Sequence, residues 1–391
     1  MRLRALQIIL ILGLMGCLIG ACTVIIIASP SMLLPDRDSV PSEAAHIQPT
    51  SDEVSEITPV ATPLPSPTPT PALTPTPSPA PQLSQLSQGR CCVQPLFAPN
   101  GQQLFFIDKP APDAITGIYS IDLNKPLSEP ILSYQTIGFR NADWTIVATM
   151  EGEVAHFVDE SRRASWGVDT GGNRPYYSPD SSQILWVATD REGPYDRRQT
   201  DIWLANLDGT NPRLIISLLG GNFAGWLPDS QRLALVTRDN PAEEERTLFI
   251  YDLVNEQRID LVREKRIRGI EISAGGGWIA YFIAFTDNPE GNGLWIASSD
   301  GAIRRRLNVP AFGAYHWRDD NNLLYIPMRA STEESMQLWE IDVSANTGRP
   351  LTDPDSIYFS ISNGDWEVSP DGRQVIFVNS ADQNIWLITL P

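Results

Sequence analysis

The sequence predicts an all-β protein whose fold is a β-propeller of four-stranded antiparallel blades. Three observations support this prediction. A Ser-Pro-Asp-Gly-like corner recurs along the chain, an aromatic residue follows each corner in a short strand, and no long stretch keeps apolar residues at helix spacing. Pro presets φ at the second position of a turn, and Asp or Asn can bond its own backbone. Each corner is therefore a tight bend that leads into a strand.

The corners set the period of the repeat. Six of them, each beginning with an apolar or aromatic residue, lie at residues 97–101, 177–181, 226–230, 272–276, 317–321 and 368–372. Their fourth positions are separated by 80, 49, 46, 45 and 51 residues, so the first interval has room for one further, degenerate repeat. We place the corner of that repeat at Met150-Glu151-Gly152. Seven blades are therefore favoured, with six as the alternative.

The aromatic marker supports the same count. It lies 15 to 23 residues after the fourth corner position, at Tyr119, Trp203, Phe249, Trp295, Trp339 and Trp386. In the degenerate repeat, Trp166 follows Glu151 by 15 residues, the same interval as in the final repeat. Each repeat of roughly 45 residues then holds four short strands, which is the unit of a propeller blade. A β-sandwich is the alternative fold, but it requires no periodic corner.

Two expectations about packing follow from the repeat. Because the aromatic residues recur once per blade, we expect them to pack between blades rather than to form an exposed platform for sugars. The last repeat stops at residues 390–391 after its third strand, which would leave an unpaired sheet edge. We expect residues 81–87 to complete the seventh blade, so that the two ends of the chain close the ring.

The N-terminal residues predict attachment to a membrane. Residues 5–28 carry no charge, and about 20 apolar residues suffice to cross a bilayer. Because Arg2 and Arg4 precede this stretch, we expect the N-terminus inside the bacterial cytoplasmic membrane and the rest of the chain on its extracytoplasmic side. Cys22 follows a small residue, as in the lipidation site of bacterial lipoproteins. An uncleaved signal anchor and a lipoprotein signal, both within residues 1–29, are the alternatives, with a soluble secreted protein as a third.

A linker is predicted between this segment and the propeller. Residues 30–80 include runs such as 61–69, in which Pro alternates with Thr, Ser or Leu. Such a sequence cannot bury apolar surface and prefers extended polyproline II. We therefore expect a disordered spacer at 30–80 that would permit O-linked sugar, and a propeller domain at 81–391.

Charge and cysteine content exclude several partners. The formal charge of −18 at pH 7 opposes binding to nucleic acid, because phosphate binding requires a basic face. Four cysteines, two of them in the N-terminal segment, provide no disulfide framework. We interpret Cys91 and Cys92 as small buried residues and expect a monomeric propeller head.

No residue is predicted to be catalytic, to bind a cofactor or to ligate a metal. Only His156 and His316 lie in the repeat region, and the sequence has neither a Gly-x-Ser-x-Gly elbow nor a Gly-rich phosphate loop. Asp319 and Asp320 occupy a corner, where Asp is a turn former. We therefore expect a protein that is not an enzyme. The enzyme alternative, a hydrolase or lyase, requires two acidic side chains and His156 or His316 to converge on one pocket.

Three longer, charged loops predict a contact surface. They lie at residues 190–198, 239–246 and 287–293, and each joins the second and third strands of its blade. Equivalent loops emerge on the same face of a propeller, so the three would form one rim. The candidate contact residues in these loops are Tyr195, Arg197, Arg198, Glu243, Glu244, Glu290 and Asn292. Variable, solvated loops without a partner are the alternative interpretation.

Two stretches of the chain resemble the repeat of TolB-like propellers, which is itself similar to the WD repeat. They are residues 178–186 (Ser-Pro-Asp-Ser-Ser-Gln-Ile-Leu-Trp) and 369–377 (Ser-Pro-Asp-Gly-Arg-Gln-Val-Ile-Phe). Residues 201–203 and 351–352 are similar to later parts of that unit, and the resemblance covers about residues 90–391. The eroded second repeat departs from the pattern, and TolB itself has six blades.

The resemblance implies a function of binding rather than chemistry. The same repeat occurs in propellers that precede the hydrolase domain of dipeptidyl peptidase relatives, and such a domain is missing from this sequence. We therefore expect a membrane-tethered, extracytoplasmic binding module for a protein, peptide or cell-envelope ligand, with no cofactor. A propeller enzyme that uses carboxylates at the central channel is one alternative. The ligand-sensing ectodomain of a signalling assembly is the other.

Overall fold

The computed structural model describes residues 80–89, 93–194, 197–310, 312–328 and 334–391. These residues form seven sheets, each of four antiparallel strands, so the prediction of a seven-bladed β-propeller is confirmed. Met150-Glu151-Gly152 was nevertheless the wrong corner for the second blade, as described below. The predicted anchor, Cys22, most of the linker and Cys91-Cys92 lie outside the described residues. Among the residues described, no helix has the length and apolarity needed to cross a membrane.

Twenty-eight strands build the blades in chain order. The first strand, β1 (Gln82–Gln85), precedes blade 1 in the chain but belongs to blade 7. Blade 1 consists of β2 (Val93–Phe97), β3 (Gln103–Asp108), β4 (Gly117–Asp122) and β5 (Ile131–Tyr134), and blade 2 of β6 (Phe139–Arg140), β7 (Ile146–Glu151), β8 (Val154–Asp159) and β9 (Ala164–Asp169). Blade 3 consists of β10 (Pro175–Tyr177), β11 (Gln183–Thr189), β12 (Gln199–Asn206) and β13 (Arg213–Leu219). Blades 4 and 5 are β14 (Asn222–Trp226), β15 (Arg232–Thr237), β16 (Arg246–Asp252), β17 (Gln257–Glu264), β18 (Ile267–Ile272), β19 (Trp278–Ile283), β20 (Gly293–Ser298) and β21 (Arg304–Arg306). Blades 6 and 7 are β22 (Gly313–Trp317), β23 (Asn322–Pro327), β24 (Trp339–Asp342), β25 (Thr347–Pro350), β26 (Ile361–Val368), β27 (Gln374–Asn379) and β28 (Ile385–Thr389).

The first strand closes the ring. β1 pairs antiparallel with β28, with Gln82 opposite Thr389 and Gln85 opposite Trp386, and so supplies the fourth strand of blade 7. Leu86 follows β1, is fully buried, and donates its N–H to the carbonyl of Ile385 at 2.8 Å. The expected pairing of the two ends of the repeat region is therefore observed.

The hydrophobic core is divided into one cluster for each contact between neighbouring blades. The aromatic markers are distributed over these clusters as the sequence predicts, because each packs against the preceding blade. Tyr119 lies between blades 7 and 1, Trp203 between 2 and 3, Phe249 between 3 and 4, Trp295 between 4 and 5, Trp339 between 5 and 6, and Trp386 between 6 and 7. The markers are buried or half-buried, so burial of their apolar surface stabilises the ring.

The second blade corrects the sequence analysis in detail. Its corner is not Met150-Glu151-Gly152, where β7 ends and the turn to β8 begins, but residues 141–145 between β6 and β7. Trp166 lies on the fourth strand, β9, and the position of the aromatic marker holds His156 instead. The corner lacks Pro and Gly, and Trp144 adopts φ +64° where five of the other six corners have Gly or Ser. The ring of Trp144 packs 4.5 Å from that of Phe105 in blade 1, so a tertiary contact accompanies the unusual turn.

The corners of neighbouring blades touch one another. Asp180 donates its backbone N–H to Ser230 Oγ at 3.0 Å, which joins the corners of blades 3 and 4. Gly372 has φ +69°, and a Cβ placed there would lie 2.5 Å from the carbonyl oxygen of Arg318 in blade 6. Gly372 therefore serves both the turn conformation and the close approach of the preceding blade.

Truncation of Leu86 tests ring closure. We expect Leu86→Ala to lower the free energy of unfolding by about 2–5 kcal/mol, because it leaves a cavity between the closing segment and its neighbours. Denaturant unfolding of the purified protein measures this loss. Leu214→Ala, at a half-exposed position on an outer strand, is the control and should change stability by less than about 1 kcal/mol. Equal effects of the two substitutions would contradict the closure described here.

Alanine substitutions at two corner glycines distinguish the cost of backbone strain from the cost of a clash between neighbouring blades. Gly101 has φ +65° and no atom within 4 Å of the place where an alanine Cβ would lie, whereas Gly372 has a similar φ and a close backbone neighbour. We expect Gly101→Ala to cost about 1–2 kcal/mol of unfolding free energy through conformation alone. Gly372→Ala should cost about 1–3 kcal/mol more, because blade 6 must move. The comparison is made by denaturant unfolding, and equal losses would show that the corners do not pack tightly.

Candidate functional site

The first strand of each blade lies at the centre of the ring, where neighbouring first strands contact one another. Their pairing with the second strands aligns the seven blades residue by residue. In each blade, one residue of the first strand comes directly before the last residue that pairs with the second strand. We call this place the ring position. Its occupants in blades 1 to 7 are Leu96, Phe139, Tyr176, Gly225, Glu271, His316 and Glu367. Blades 1 to 4 therefore contribute apolar or aromatic residues and Gly at this level, and blades 5 to 7 contribute ionisable side chains.

The ionisable half begins with a carboxylate–histidine pair. His316 Nδ1 lies 3.0 Å from Glu271 Oε1, and their side chains are 35% and 30% exposed. The two residues occupy the same register on adjacent first strands, which is why the fold brings them together. Trp317, the next residue, donates its indole N–H to the carbonyl of Glu271 at 3.2 Å and so fixes the two strands together.

Glu367 extends this group into blades 7 and 1. Its Oε2 accepts the backbone N–H of Phe97 at 2.9 Å. Trp366, the residue before it, packs against His316 with ring centroids 4.4 Å apart. A row of polar and aromatic groups thus connects the first strands of blades 5, 6, 7 and 1. We call Glu271, His316 and Glu367 the carboxylate–histidine row.

Burial changes the protonation of this row. Burial raises the pKa of Glu367 to about 7, while the Phe97 N–H and the nearby His316 oppose the rise. For His316, burial acts to lower the pKa, but the hydrogen bond and charge of Glu271 and the charge of Glu367 give a net rise above 6.5. Asp365, also on β26, has a pKa raised by burial. The carboxyl group of Glu367 is therefore able to exchange a proton near neutral pH, while the imidazole of His316 holds its proton more tightly than a free histidine does.

The aromatic half contains an open cleft of about 350 Å³. Its walls come from the first strands of blades 2, 3 and 4, with Phe139, Tyr176, Phe223 and Trp226 among the lining residues. Tyr176 and Phe223 meet edge to face, with ring centroids 5.1 Å apart. Half-buried aromatic rings around a concave site are typical of ligand pockets. We call this cleft the aromatic cleft.

Arg174 supplies a positive charge to the aromatic cleft. Its guanidinium carbon lies 4.6 Å from the centroid of the Phe139 ring and 4.8 Å from that of Tyr176. The residue is exposed, and within the described part of the chain its guanidinium has neither an ion pair nor a hydrogen bond. Arg140, which also lines the cleft, is different because its guanidinium bonds both carboxylate oxygens of Glu160 at 3.3 Å.

The predicted rim residues lie in loops between the second and third strands, as the sequence indicated, but several are engaged within the protein. Glu244 contacts Lys265 Nζ at 3.4 Å, and the same ammonium contacts Asp287 of the next blade at 3.4 Å. The Oδ1 of Asn292 accepts hydrogen bonds from the backbone and hydroxyl of Thr286, at 3.0 Å each.

Two of the other rim candidates also contact residues within the protein. Glu243 forms an ion pair with Arg263, and Arg198 Nε donates to the carbonyl of Gly193 at 3.2 Å. Arg197 and Glu290 are exposed, and Tyr195 lies outside the described residues. Their role as partner contacts remains a prediction.

The remaining candidates from the sequence do not join the central site. His156 lies on β8, 46% exposed and 3.6 Å from Glu151, so it is not part of the carboxylate–histidine row. Asp319 accepts the backbone N–H groups of Asn321 and Asn322 at 2.8 Å, as expected for a turn former.

Sequence reasoning missed three residues of the central site: Glu271, Glu367 and Arg174. Each follows or precedes a corner that the sequence analysis did recognise, and none belongs to a motif. Alignment of the residue immediately before each corner would have placed Glu271, His316 and Glu367 in one ring. The register of the first strands was the missing information, because a shift by one residue moves a side chain to the other face of a strand.

No protein-family model matches the chain, and no curated protein matches it in sequence. Solved structures do align with it. An oligogalacturonate lyase in complex with manganese covers 80% of this chain and 97% of its own, at 13% identity and a TM-score of 0.55. An oligogalacturonate lyase from Vibrio parahaemolyticus covers the same shares at 12% identity, also with a TM-score of 0.55. A putative TolB from Agrobacterium tumefaciens covers 64% of this chain and 88% of its own, at 16% identity and a TM-score of 0.40.

The resemblance to TolB-like propellers holds at the level of the fold. At identities of 12–16%, similarity to these structures says nothing about ligand or activity. Manganese is present in one of the similar structures, but the described residues of this chain contain no group of three His, Cys, Asp or Glu side chains placed to hold a metal ion.

The raised pKa of Glu367 predicts a specific dependence of stability on pH. Between 4.5 and about 7 the folded protein keeps a proton that the unfolded chain releases, so unfolding free energy falls as pH rises through this window. The decrease amounts to at most about 3 kcal/mol. His316 acts in the same direction, because its raised pKa adds stability at low pH that is lost as pH rises.

Replacement of Glu367 by Gln isolates this effect. We expect Glu367→Gln to flatten the fall in unfolding free energy between pH 4.5 and 7, measured by denaturant unfolding at several pH values, because Gln cannot titrate. Glu129→Gln, at an exposed position, should leave the pH dependence unchanged. If the unfolding free energy of the Glu367→Gln protein still falls with pH as steeply, other titrating groups cause the pH dependence.

Proposed function

We propose that this propeller is a non-catalytic binding module, tethered on the extracytoplasmic side of the bacterial cytoplasmic membrane, that takes up a protein, peptide or cell-envelope ligand at the centre of its ring. The observation that carries this proposal is the aromatic cleft, with half-buried rings and an exposed guanidinium on the first strands of blades 2 to 4. Rigid strands present these groups, so little ordering would be needed on binding. The tether rests on the uncharged residues 5–28 of the sequence.

The residues at the ring position differ between blades 1 to 4 and blades 5 to 7, which supports a ligand with two chemically different sides. Aromatic and apolar groups from blades 1 to 4 suit a hydrophobic surface, whereas Glu271 and Glu367 suit hydrogen-bond donors or positive charge. A uniform anion such as a nucleic acid strand would meet the carboxylates of blades 5 to 7. The proposal therefore retains a protein, peptide or envelope component as the partner and excludes nucleic acid.

Crosslinking from inside the ring tests this function. A photoactivatable phenylalanine analogue replaces Phe223, which lines the aromatic cleft, in the full chain expressed in cells. We expect a discrete adduct on irradiation, whose mass identifies the ligand. The matched control carries the analogue at Leu214 on the outer strand β13 and should give no such adduct. No adduct from position 223, or the same adduct from both positions, would reject binding at the centre.

An enzyme is the second candidate, because one specific observation favours it. The alternative required two acidic side chains and a histidine to converge, and Glu271, His316 and Glu367 do lie together. Glu271 Oε1 lies 3.0 Å from His316 Nδ1 and orients the imidazole, which in its neutral form would serve as a general base. The solved structures with a TM-score of 0.55 are lyases of oligogalacturonate, a substrate whose cleavage by elimination needs such a base.

Turnover of oligogalacturonate separates the two candidates. A lyase would produce an unsaturated product that absorbs ultraviolet light, and His316→Gln would lower that rate by about 10²–10⁴-fold. His156→Gln, at the histidine outside the row, is the control and should retain the full rate. If the unaltered protein gives no unsaturated product, this lyase activity is excluded and the binding module stands.

A further inference from the structure

We propose that the aromatic cleft binds the C-terminal end of a peptide, with the terminal carboxylate paired to Arg174 and the last side chain held between aromatic rings. This inference deepens the proposed function and rests on it. The chain as a whole carries −18, yet Arg174 exposes a positive guanidinium that forms no ion pair with any described residue. A carboxylate is the group that complements it.

The surroundings of Arg174 favour pairing with a planar anion. Phe139 and Tyr176 lie against the guanidinium, with ring centroids 4.6 and 4.8 Å from its central carbon. Rings in this position restrict the side chain and reduce its hydration, while the N–H edges stay available. A guanidinium held in this way donates two parallel hydrogen bonds to a carboxylate. Arg140 cannot substitute for it, because Glu160 already occupies its guanidinium.

The size and walls of the cleft favour a chain end over a folded surface. Its volume of about 350 Å³ is near the lower limit of ligand sites, which is sufficient for a terminal residue but not for a protein face. Phe223 and Trp226 line the cleft on blade 4. In a peptide's last residue, the carboxylate and the side chain share one carbon atom. One such residue can therefore reach Arg174 and the apolar wall together.

The other half of the ring restricts the orientation of such a ligand. Glu271, together with Glu367 once it is ionised above its pKa of about 7, would repel a carboxylate placed in blades 5 to 7, so the peptide's acid group is directed to blades 2 to 4. The preceding residues of the peptide would then extend toward the carboxylate–histidine row, where Glu271 and Glu367 accept hydrogen bonds. The charge pattern of the ring thus defines one direction of binding.

Titration calorimetry with small peptides tests this site on the purified full chain. The probes are Ala-Ala-Phe with a free C-terminus, its C-terminal amide, and the amide of Ala-Asp-Phe, which carries a carboxylate only on an internal side chain. We expect the free acid to bind about 10–100-fold more tightly than either amide, because a charge-assisted hydrogen bond is lost in the amides. Binding of Ala-Asp-Phe amide as tight as that of the free acid would reject recognition of a chain end.

Substitutions of Arg174 test whether this residue causes the preference for the free acid. Arg174→Gln should remove the preference for the free acid, whereas Arg174→Lys should keep part of it. Arg268→Gln is the matched control, since Arg268 is also exposed on a first strand, β18, but lies outside the lining of the cleft. Its affinity should equal that of the unaltered protein. The proposal is overturned if the free acid fails to bind at millimolar concentration or if Arg174→Gln has no effect.

The outcome separates this inference from the proposed function. A crosslinked ligand at position 223 together with indifference to the C-terminal carboxylate would keep a binding module but reject peptide ends as its ligand. If position 223 gives no crosslinked ligand, binding at the centre is rejected, whichever affinities the peptides show.

Discussion

The hydrogen bonds between β1 and β28 are the constraint on which the rest of the structure depends. Seven sheets packed side by side have two free ends unless the last blade is completed, and β1 completes it from the other end of the repeat region. Every blade then has two neighbours, and each contact between neighbours contains its own apolar cluster. The first strands are held in one register around the centre as a result.

Much of this architecture could be predicted from the sequence, because it is encoded locally and repeated. Pro, Asp and Gly specify a corner within five residues, and an aromatic residue once per repeat indicates packing between blades. The second blade was located correctly but its parts were not, since its corner has Trp144 where most other corners have Gly or Ser and its marker position holds His156. Packing of Trp144 on Phe105 maintains a turn that the local sequence does not indicate.

The central site was largely beyond prediction from the sequence. Glu271, His316 and Glu367 are spread over almost a hundred residues and belong to three repeats, so no short motif contains them. They meet because each occupies the same register on its first strand, and a carboxylate at that place has no feature of its own in the sequence. The same holds for Arg174, whose meaning depends on Phe139 from another blade. The repeat predicts where blades lie, but not which of their variable positions share a chemical task.

The contact between blades 1 and 2 differs from the other six in its composition. Its cluster contains Ala98, Phe105 and Ile118 as fully packed members, fewer than any other contact among the described residues. Arg140 of blade 2 reinforces it by stacking on Tyr134 of blade 1 at 3.8 Å, while Glu160 of its own blade holds the guanidinium in place. The same Arg140 lines the aromatic cleft. The least apolar contact of the ring therefore lies next to the candidate ligand site, where cohesion depends partly on a cation and its partners.

The position of β1 also has a mechanical consequence. It is the outermost strand of blade 7, it contains four residues, and the chain that precedes it leaves from that edge. Tension applied through the preceding residues would act first on this short strand and on its pairing with β28. The hydrogen bonds between β1 and β28 would therefore bear such a pull first, at the outer edge of blade 7 and away from the first strands that line the centre.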